Sequence, residues 1–357
     1  MTTKLVYVLT CAAEKYYIEQ ALMAVCSARH WNPDAHIVLV VDNNTDKLLE
    51  GKRAEIMKYV SEKKVVVFED KNTTPMYRSR WLKTSVRDLV DGDFLFVDCD
   101  TVCQCSLSEA DGFSYQIAMV PDGHQSVKDY NDGIKSYMKS NAELLGYDVF
   151  NEELYFNSGV IYAKDTDQVR DFWRCWHSEW ITGQSKGVQI DQSALGKANL
   201  LFKHIIERLP DEWNTLVYMN PLFMPQGKIL HFWGFRNKSF VFSETFLDYV
   251  QKNGINDYVK KSILSPSDTV LPFDNILFKA SFKERLKMIG KIRDNLVGYT
   301  KNIEKSLDNN PWRSSFTSIE TGLIKIGLFY LAAFCYILRR CLFLHNKKDR
   351  KREVYYS

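Results

Sequence analysis

The stretch FLFVDCDTVC, from Phe94 to Cys103, decides how the rest of the sequence is interpreted. Four apolar residues that favour a buried strand are followed at once by two aspartates, Asp98 and Asp100, one residue apart. Side chains at i and i+2 lie on the same face of a strand, so both carboxylates can reach one point if the chain bends there. Paired carboxylates form a hard oxygen site that suits Mg²⁺ or Mn²⁺. The alternative is an ordinary strand end with solvated aspartates.

Strand and helix patterns alternate before this stretch. Apolar, strand-like runs lie at Leu5–Leu9, His36–Asp42 and Lys64–Asp70, and helical patterns lie at Tyr17–Arg29 and Trp81–Val90. The alternation predicts an α/β fold with a mostly parallel central sheet flanked by helices. Ligands bind such sheets at the carboxyl ends of the strands, which is where the two aspartates fall.

The sequence after the aspartates is less regular. Residues from Val120 to Asp148 show no clear period, which predicts a long surface excursion over a site. A strand is predicted at Leu154–Lys164, and a Trp-rich helix at Phe172–Trp180. Beyond about Ser243 the composition becomes lysine-rich and helical, which predicts a helical C-terminal extension.

Composition limits the classes of function. The chain has 357 residues and 45% hydrophobic content, enough for a sizeable core. A net charge of +3 is too small to indicate a nucleic-acid partner. The eight cysteines show no CxxC pair, which favours a reducing compartment. The apolar run at the N-terminus is too short for a signal peptide and predicts a first strand.

Four motifs occur in the order FVDCDTV, YFNSGVIYAK, DQSALGK and ILHFWG. Their order and spacing resemble the retaining family 8 glycosyltransferases, the group of glycogenin and the lipopolysaccharide galactosyltransferases, over residues 4–240. The resemblance implies a GT-A fold. It also implies transfer of a sugar from a nucleotide-diphosphate sugar, with a UDP-sugar favoured, to a hydroxyl of a saccharide or glycolipid, with retention of anomeric configuration.

The resemblance assigns a metal site and the cations beside it. Asp98, Asp100 and His231 would hold Mn²⁺, with Mg²⁺ possible, and Asp98 would also contact the donor. An imidazole added to two carboxylates moves the preference from Mg²⁺ towards Mn²⁺, which agrees with the assignment. A single histidine in ILHFW is otherwise more often a core residue. Lys83 and Arg80 would face the diphosphate or the donor sugar, whereas Arg78 is better explained as part of a solvated helix face.

Catalytic residues also follow from the resemblance. Asn157 would hydrogen-bond near the donor sugar, and Gly159 would allow close backbone approach. Asp191 and Gln192 would lie beside the anomeric carbon, where a carboxylate stabilises an oxocarbenium-like centre. Asp191 also suits a helix N-cap, so a purely structural role stays open.

The donor's base and diphosphate have weaker matches. Thr10 and Tyr16 are the candidates for the base, because the first strand of this chain ends in TCAAEKYY instead of the polar or acidic residues usual in the family. Gly234 and the turn that follows it would supply backbone amides to the diphosphate. The family commonly has a lysine six residues after the histidine; this chain has Asn237 there and Lys238 next to it.

Aromatic residues are concentrated around His231. They suit an acceptor cleft, but an aromatic core is the more frequent explanation; they are Trp213, Tyr218, Phe223, Trp233 and Phe235. No Walker lysine motif, G-x-G-x-x-G after the first strand or G-x-S-x-G occurs. Two alternatives stay open, a nucleotidyltransferase and a non-catalytic membrane-attached binding protein on the same fold.

The C-terminal segment differs from the rest. Ile326–Leu338 is thirteen residues without a charge, followed by Arg339, Arg340 and a basic tail. This is shorter than the roughly 20 residues that span a bilayer, so it predicts a segment on an anionic membrane surface, with a buried helix as the alternative. We therefore expect a catalytic domain at 1–243, a helical extension at 244–320 and a membrane-associating segment at 321–357, on the cytoplasmic side.

Overall fold

A seven-stranded sheet organises the protein in a computed structural model that describes residues 1–70, 73–130, 132–217, 226–232 and 242–264. Its strands are β1 Lys4–Leu9, β2 Ile37–Asp42, β3 Glu62–Val66, β4 Phe94–Val97, β6 Ile117–Pro121, β7 Phe156–Ala163 and β8 Ile206–Arg208. A smaller, three-stranded sheet contains β5 Thr101–Cys103, β9 Thr215–Leu216 and β10 Ile229–His231.

The helices are α1 Tyr17–Trp31, α2 Asn43–Asp46, α3 Pro75–Leu89, α4 Asp132–Leu144, α5 Asp167–Ser185, α6 Asp191–Leu201, α7 Glu244–Asn253 and α8 Asp257–Leu264. Helices α1 to α6 lie between these strands in sequence, and α7 and α8 follow β10. Short 3₁₀ segments occur at Gly51–Lys58, Ser108–Gly112, Asp122–His124, Val127–Asp129, Val149–Asn151 and Asp211–Asn214.

The topology of the large sheet confirms the predicted α/β fold. Its strand order is β3-β2-β1-β4-β7-β6-β8, and β3, β2, β1 and β4 pair in parallel. Strand β7 runs antiparallel to both β4 and β6, and β8 is parallel to β6. Since β1, β2 and β4 are buried on both faces, their sequences are nearly continuous apolar runs.

Two sequence predictions about these elements were wrong. The third strand is Glu62–Val66 instead of Lys64–Asp70, because its partner β2 ends at Asp42, which pairs with Val66. The predicted irregular excursion contains the 13-residue helix α4. Within that helix Met138 and Ala142 are the buried residues, so its apolar signal in the sequence is weak.

The chain divides into two units. The first comprises Met1–Lys128 and Ser136–Val270, and the second comprises Asp129–Lys135 and Leu271–Ser357, of which the structure describes residues 129, 130 and 132–135. In the first unit, side chains of α7 and α8 belong to the same hydrophobic core as those of α1 and β1. The domain boundaries at 243 and 320 stay predictions. Among the described residues no helix has both the length and the apolar character needed to cross a bilayer.

Helix α5 contributes three buried tryptophans to the packing against the sheet and α6. Trp173, Trp176 and Trp180 are each at most 1% exposed. Trp176 Nε1 donates a hydrogen bond to the backbone carbonyl of Asp191, at 3.0 Å. The indole nitrogen of Trp180 is buried and has no hydrogen-bond partner among the described residues. Trp176 and Trp180 are therefore equally buried, but only the indole N–H of Trp176 makes a hydrogen bond within the described residues.

We expect Trp176→Phe to lower the free energy of unfolding by about 1 kcal/mol more than Trp180→Phe. Both changes remove similar apolar area, but the first also removes a buried hydrogen bond, whereas the second removes an unpaired donor. Urea denaturation of the two variants beside the wild type measures the difference. Equal losses would show that the Trp176 hydrogen bond contributes nothing net.

Candidate functional site

The two aspartates lie in a tight turn that leads from the large sheet to the small one. Strand β4 ends immediately before Asp98, whose backbone amide donates to the carbonyl of Gly159 in β7, at 2.8 Å. The carbonyl of Asp100 accepts from the amide of Phe232, at 2.9 Å, just after β10. Backbone hydrogen bonds on both sides therefore fix the turn that carries the two carboxylates.

His231, at the end of β10, meets the aspartates across the small sheet. It is paired in register with Thr101, which directly follows Asp100. One ligand atom from each of Asp98, Asp100 and His231 can be chosen so that all lie within 4.8 Å of one another. The closest approach is 3.2 Å, between Nε2 of His231 and Oδ1 of Asp100. The structure therefore brings together the three residues that the sequence assigned to a metal.

The two ring nitrogens of His231 have different surroundings, as they do in a histidine that binds a metal. His231 is 2% exposed, and its Nδ1 contacts Oδ1 of Asn214 at 2.9 Å. Its Nε2 is buried and makes no hydrogen bond within the described part of the chain, although a carboxylate is close. An unpaired buried nitrogen beside two carboxylates fits a divalent cation, with one imidazole and two oxygen ligands.

The surroundings shift the pKa values of Asp98 and Asp100 in opposite directions. Burial raises the pKa of Asp98, Lys83 opposes that rise, and the neighbouring Asp100 carboxylate adds to it. Burial also disfavours ionisation of Asp100, but His231, a backbone hydrogen bond and Lys83 together lower the pKa of Asp100. For His231, burial acts against protonation, yet Asp100 raises the pKa above its ordinary value. Two carboxylates held this close repel each other. A bound cation would replace the protons as the balancing charge and would favour the ionised aspartates and the neutral histidine.

Lys83 of α3 joins the aspartate pair to Asp191. Its buried ammonium lies 3.1 and 3.2 Å from the two carboxylate oxygens of Asp98 and 3.7 Å from Oδ2 of Asp191. Arg80, one turn earlier on α3, places Nε 2.9 Å from Oδ1 of Asp191. Both cations lie beside the aspartates, and both are paired with carboxylates. Their contact with a diphosphate stays a prediction.

Asp191 is a buried and ionised carboxylate. Burial would raise its pKa, but Lys83, Arg80 and a hydrogen bond from the hydroxyl of Ser158 together lower the pKa below the ordinary value. The alternative role as an N-cap is wrong, because Ile190 occupies that position and α6 has no side-chain cap. Asp191 is the first residue of the helix, and its side chain points to the cations.

The remaining predicted site residues have varied surroundings. Asn157, in β7, accepts from the Gly159 amide and donates to Asp122, so both ends of its side chain are bonded within the protein. Gln192 is half-buried in the first turn of α6. Thr10 follows β1 and donates through its hydroxyl to the carbonyl of Pro75, at 2.8 Å.

The other predicted residues either lie away from the aspartate turn or fall outside the described part of the chain. Tyr16 is partly buried before α1. Gly234 and Lys238 lie outside the described residues. The roles of all these residues stay predictions. Trp213 is fully buried and belongs to the hydrophobic core, as the more frequent explanation for an aromatic cluster expects.

Sequence reasoning missed several polar contacts. Asn214 was not considered, because a single asparagine after Trp213 carries no spacing signal. Arg78 was expected on a solvated helix face, but it is buried and paired with the fully buried Asp42 at the end of β2. An aspartate ending an apolar strand was the available signal, since a buried carboxylate requires a partner.

Comparison with known proteins agrees with the family that the sequence motifs indicated. A profile described as glycosyl transferase family 8 matches residues 8–239. The chain belongs to glycosyl transferase family 8. The predicted family and the glycosyltransferase class are therefore confirmed.

Solved structures support the fold. The structure of the bifunctional glycosyltransferase WbbM is 14% identical, with a TM-score of 0.50 over 73% of this chain and 51% of that chain. The galactosyltransferase LgtC, solved with donor and acceptor sugar analogues, is 12% identical over 72% of this chain and 99% of that chain. Its TM-score is 0.44. The likeness to WbbM agrees with a GT-A fold.

One curated protein matches a short part of the chain. It is the RTX-II toxin-activating lysine-acyltransferase ApxIIC of Actinobacillus pleuropneumoniae, 29% identical over 105 residues. The match covers 28% of this chain, and it spans 59% of the acyltransferase. Because most of the chain lies outside it, we draw no functional conclusion from it.

We expect Gly159→Ala to lower the free energy of unfolding by about 1–3 kcal/mol, the usual cost of overpacking. An added methyl group would lie 2.2 Å from Cε1 and 2.6 Å from Nδ1 of His231, so the imidazole ring or β7 must move. The matched control is Gly112→Ala, whose methyl group would meet nothing within 4 Å.

Thermal and urea unfolding of both glycine variants measure this effect. The control should stay within about 0.5 kcal/mol of the wild type. An equally stable Gly159→Ala protein would show that His231 does not pack against β7 as described.

Proposed function

We propose that this family 8 protein is a metal-dependent glycosyltransferase that uses a nucleotide-diphosphate sugar, with UDP as the favoured nucleotide. The glycosyl unit would pass with retention to a hydroxyl of a glycan or a lipid-linked saccharide. The observation that supports this most is the convergence of Asp98, Asp100 and His231 within 4.8 Å, next to a buried Lys83–Asp191 pair.

Asp98, Asp100 and His231 would hold the cation, Mn²⁺ in preference to Mg²⁺. When bound, such a cation neutralises negative charge on a departing diphosphate. Two carboxylates with one imidazole favour Mn²⁺ over Mg²⁺, which prefers oxygen ligands alone. The donor set supports this choice of ion.

Asp191 would provide a fixed negative charge at the reacting carbon. Its contacts with Lys83 and Arg80 keep the carboxylate ionised and in one orientation. A preorganised carboxylate stabilises positive charge that develops at an anomeric carbon, and it needs no rearrangement to do so. Gln192, the next residue, and Asn157 would contact the sugar.

The donor's base and diphosphate would contact two separate groups of residues. Thr10 and Tyr16 are proposed for the base, and Gly234 and Lys238 for the diphosphate. Thermal stabilisation by a panel of UDP- and GDP-sugars with Mn²⁺ identifies the donor, because a ligand that binds the native state alone raises stability in proportion to its affinity.

We also propose that residues 321–357 attach the enzyme to the cytoplasmic face of an anionic membrane. The support comes from the sequence, in which the uncharged run Ile326–Leu338 precedes the basic cluster Lys347–Arg352. Attachment there would bring the enzyme to a lipid-linked acceptor. Apolar burial and attraction to headgroups would contribute separately.

We expect Asp100→Asn to lower Mn²⁺-dependent release of UDP from a UDP-sugar by about 100-fold or more, since even indirect contacts to a metal cost 10–100-fold. The fold should survive, because the substitution changes no core volume. Asp100 is a better target than Asp98, because Asp98 also balances the buried ammonium of Lys83.

The matched control is Asp34→Asn, which removes one exposed carboxylate elsewhere and should retain wild-type activity. Chelation with EDTA should abolish turnover of the wild type and of the control. Near wild-type activity of Asp100→Asn at saturating Mn²⁺ would contradict the metal site. Release of diphosphate from a nucleoside triphosphate, with UDP-sugars left intact, would indicate a nucleotidyltransferase instead.

We expect full-length protein to float with anionic liposomes, more weakly at high salt. Truncation after Glu320 should abolish flotation and leave nucleotide-sugar hydrolysis intact, since the proposed catalytic residues all precede Phe240. A full-length control with Gln at Lys347, Lys348, Arg350, Lys351 and Arg352 should lose the salt-sensitive part alone. The membrane proposal fails if full-length protein never floats and the truncated form aggregates.

A further inference from the structure

A chain of hydrogen-bonded polar side chains runs from the small sheet back to the large one, and we name it the amide chain: the partly buried Asp122, then the buried Asn157, Asn214 and His231. Asn157, Asn214 and His231 are 6%, 0% and 2% exposed. Hydrogen bonds link consecutive members at 2.8, 2.8 and 2.9 Å. The two bonds of Asn214 are buried, so they form without competition from bulk solvent and their donors and acceptors must match.

The direction of the chain is set by a backbone group. The amide nitrogen of Gly159 lies 2.9 Å from the side chain of Asn157, and a backbone N–H can only donate. The atom of Asn157 facing it must therefore be the carbonyl oxygen. Its NH₂ group then faces Asp122, whose carboxylate oxygen accepts at 2.8 Å. Both neighbours of Asn157 agree on the same orientation.

This orientation determines that of the next asparagine. Oδ1 of Asn157 also faces the side chain of Asn214, so Asn214 must present its NH₂ group there. Its own Oδ1 then faces Nδ1 of His231 and can only accept. Flipping both amides would instead place a donor against the Gly159 N–H and an acceptor against Asp122. The amide chain thus permits one arrangement of donors and acceptors.

From this arrangement we infer that Asn214 is a positioning residue that keeps the proton of His231 on Nδ1 and leaves Nε2 as the free ligand atom. The inference rests on the proposed metal site. Nε2 is the nitrogen that lies 3.2 Å from Asp100 and makes no hydrogen bond among the described residues. Outer-sphere hydrogen bonds of this kind orient metal-binding histidines and contribute to metal affinity.

The position of Asn214 is itself fixed by its surroundings. It ends the 3₁₀ segment Asp211–Asn214, directly before β9, which pairs in parallel with β10. Its backbone carbonyl accepts from Nε2 of His124, at 2.9 Å. The asparagine therefore has little freedom to move away from His231, which is what an orienting residue requires.

Two substitutions of Asn214 separate orientation from packing. Asn214→Leu removes both hydrogen bonds and should weaken Mn²⁺ binding about 10–100-fold, the usual cost of losing an outer-sphere partner. Asn214→Asp keeps an acceptor for the imidazole but loses the donor to Oδ1 of Asn157, so it should lower stability while holding Mn²⁺ affinity within a few-fold of the wild type. Asn199→Leu is the control, because Asn199 is also buried and accepts the Ile206 amide at 3.0 Å, outside the amide chain. It should lose stability without losing Mn²⁺ affinity.

Mn²⁺ affinity is measured by titration of the full-length proteins, followed by the electron paramagnetic resonance of free Mn²⁺. The tautomer is read from ¹⁵N-histidine NMR of the metal-free protein, with His231→Gln to assign the signal. Because Asp100 raises the pKa of His231, the pH is increased from about 9, where an ordinary imidazole is neutral, until the ring carries a single proton. The wild type should show hydrogen on Nδ1 and an unprotonated Nε2, and Asn214→Leu should show a mixture of tautomers.

A wild-type proton on Nε2, or Asn214→Leu binding Mn²⁺ as tightly as Asn199→Leu, would overturn the positioning role. If the wild type binds no Mn²⁺, the proposed metal site is wrong instead. The tautomer signal is recorded without metal, so it still decides the role of Asn214.

Discussion

The contact of Lys83 with Asp98 and Asp191 is the interaction on which the rest of the site depends. The side chain of Lys83 is 5% exposed, and its ammonium is costly to bury unless carboxylates balance it. Because Lys83 lies on α3, Asp98 follows β4 and Asp191 begins α6, the pairing fixes three elements relative to one another. With Arg80 the site contains two cationic side chains, whereas Asp98, Asp100 and Asp191 supply three carboxylates. The remaining negative charge faces His231, and that is where a cation would be attracted.

Much of the fold could be predicted from local patterns. Strands β1, β2 and β4 are apolar runs because parallel strands are buried on both faces, and that signal needs no knowledge of the partners. The errors occurred where burial is partial. Strand β3 lies at the edge of the sheet and has exposed residues, so its end depends on where β2 ends. Helix α4 buries too few residues to show a clear period.

The ionisable residues of the site could also be predicted, because paired aspartates and an out-of-place histidine have recognisable chemistry. Their mutual arrangement could not. Whether Lys83 contacts a diphosphate or a carboxylate depends on how the side chains of α3 and α6 meet in the folded protein. These two helices are far apart in the sequence, so no local pattern records their contact. Asn214 is harder still, since its importance comes from a hydrogen-bond direction set by the backbone of Gly159. No spacing rule contains that information.

Diffraction from crystals grown with Mn²⁺ and UDP tests the central claim most directly. The account predicts one strong anomalous peak of manganese at the DCD turn, within coordination distance of Asp98, Asp100 and Nε2 of His231. The diphosphate of UDP should complete its coordination. A manganese peak away from His231, or UDP bound at this turn with no manganese beside it, would contradict the account.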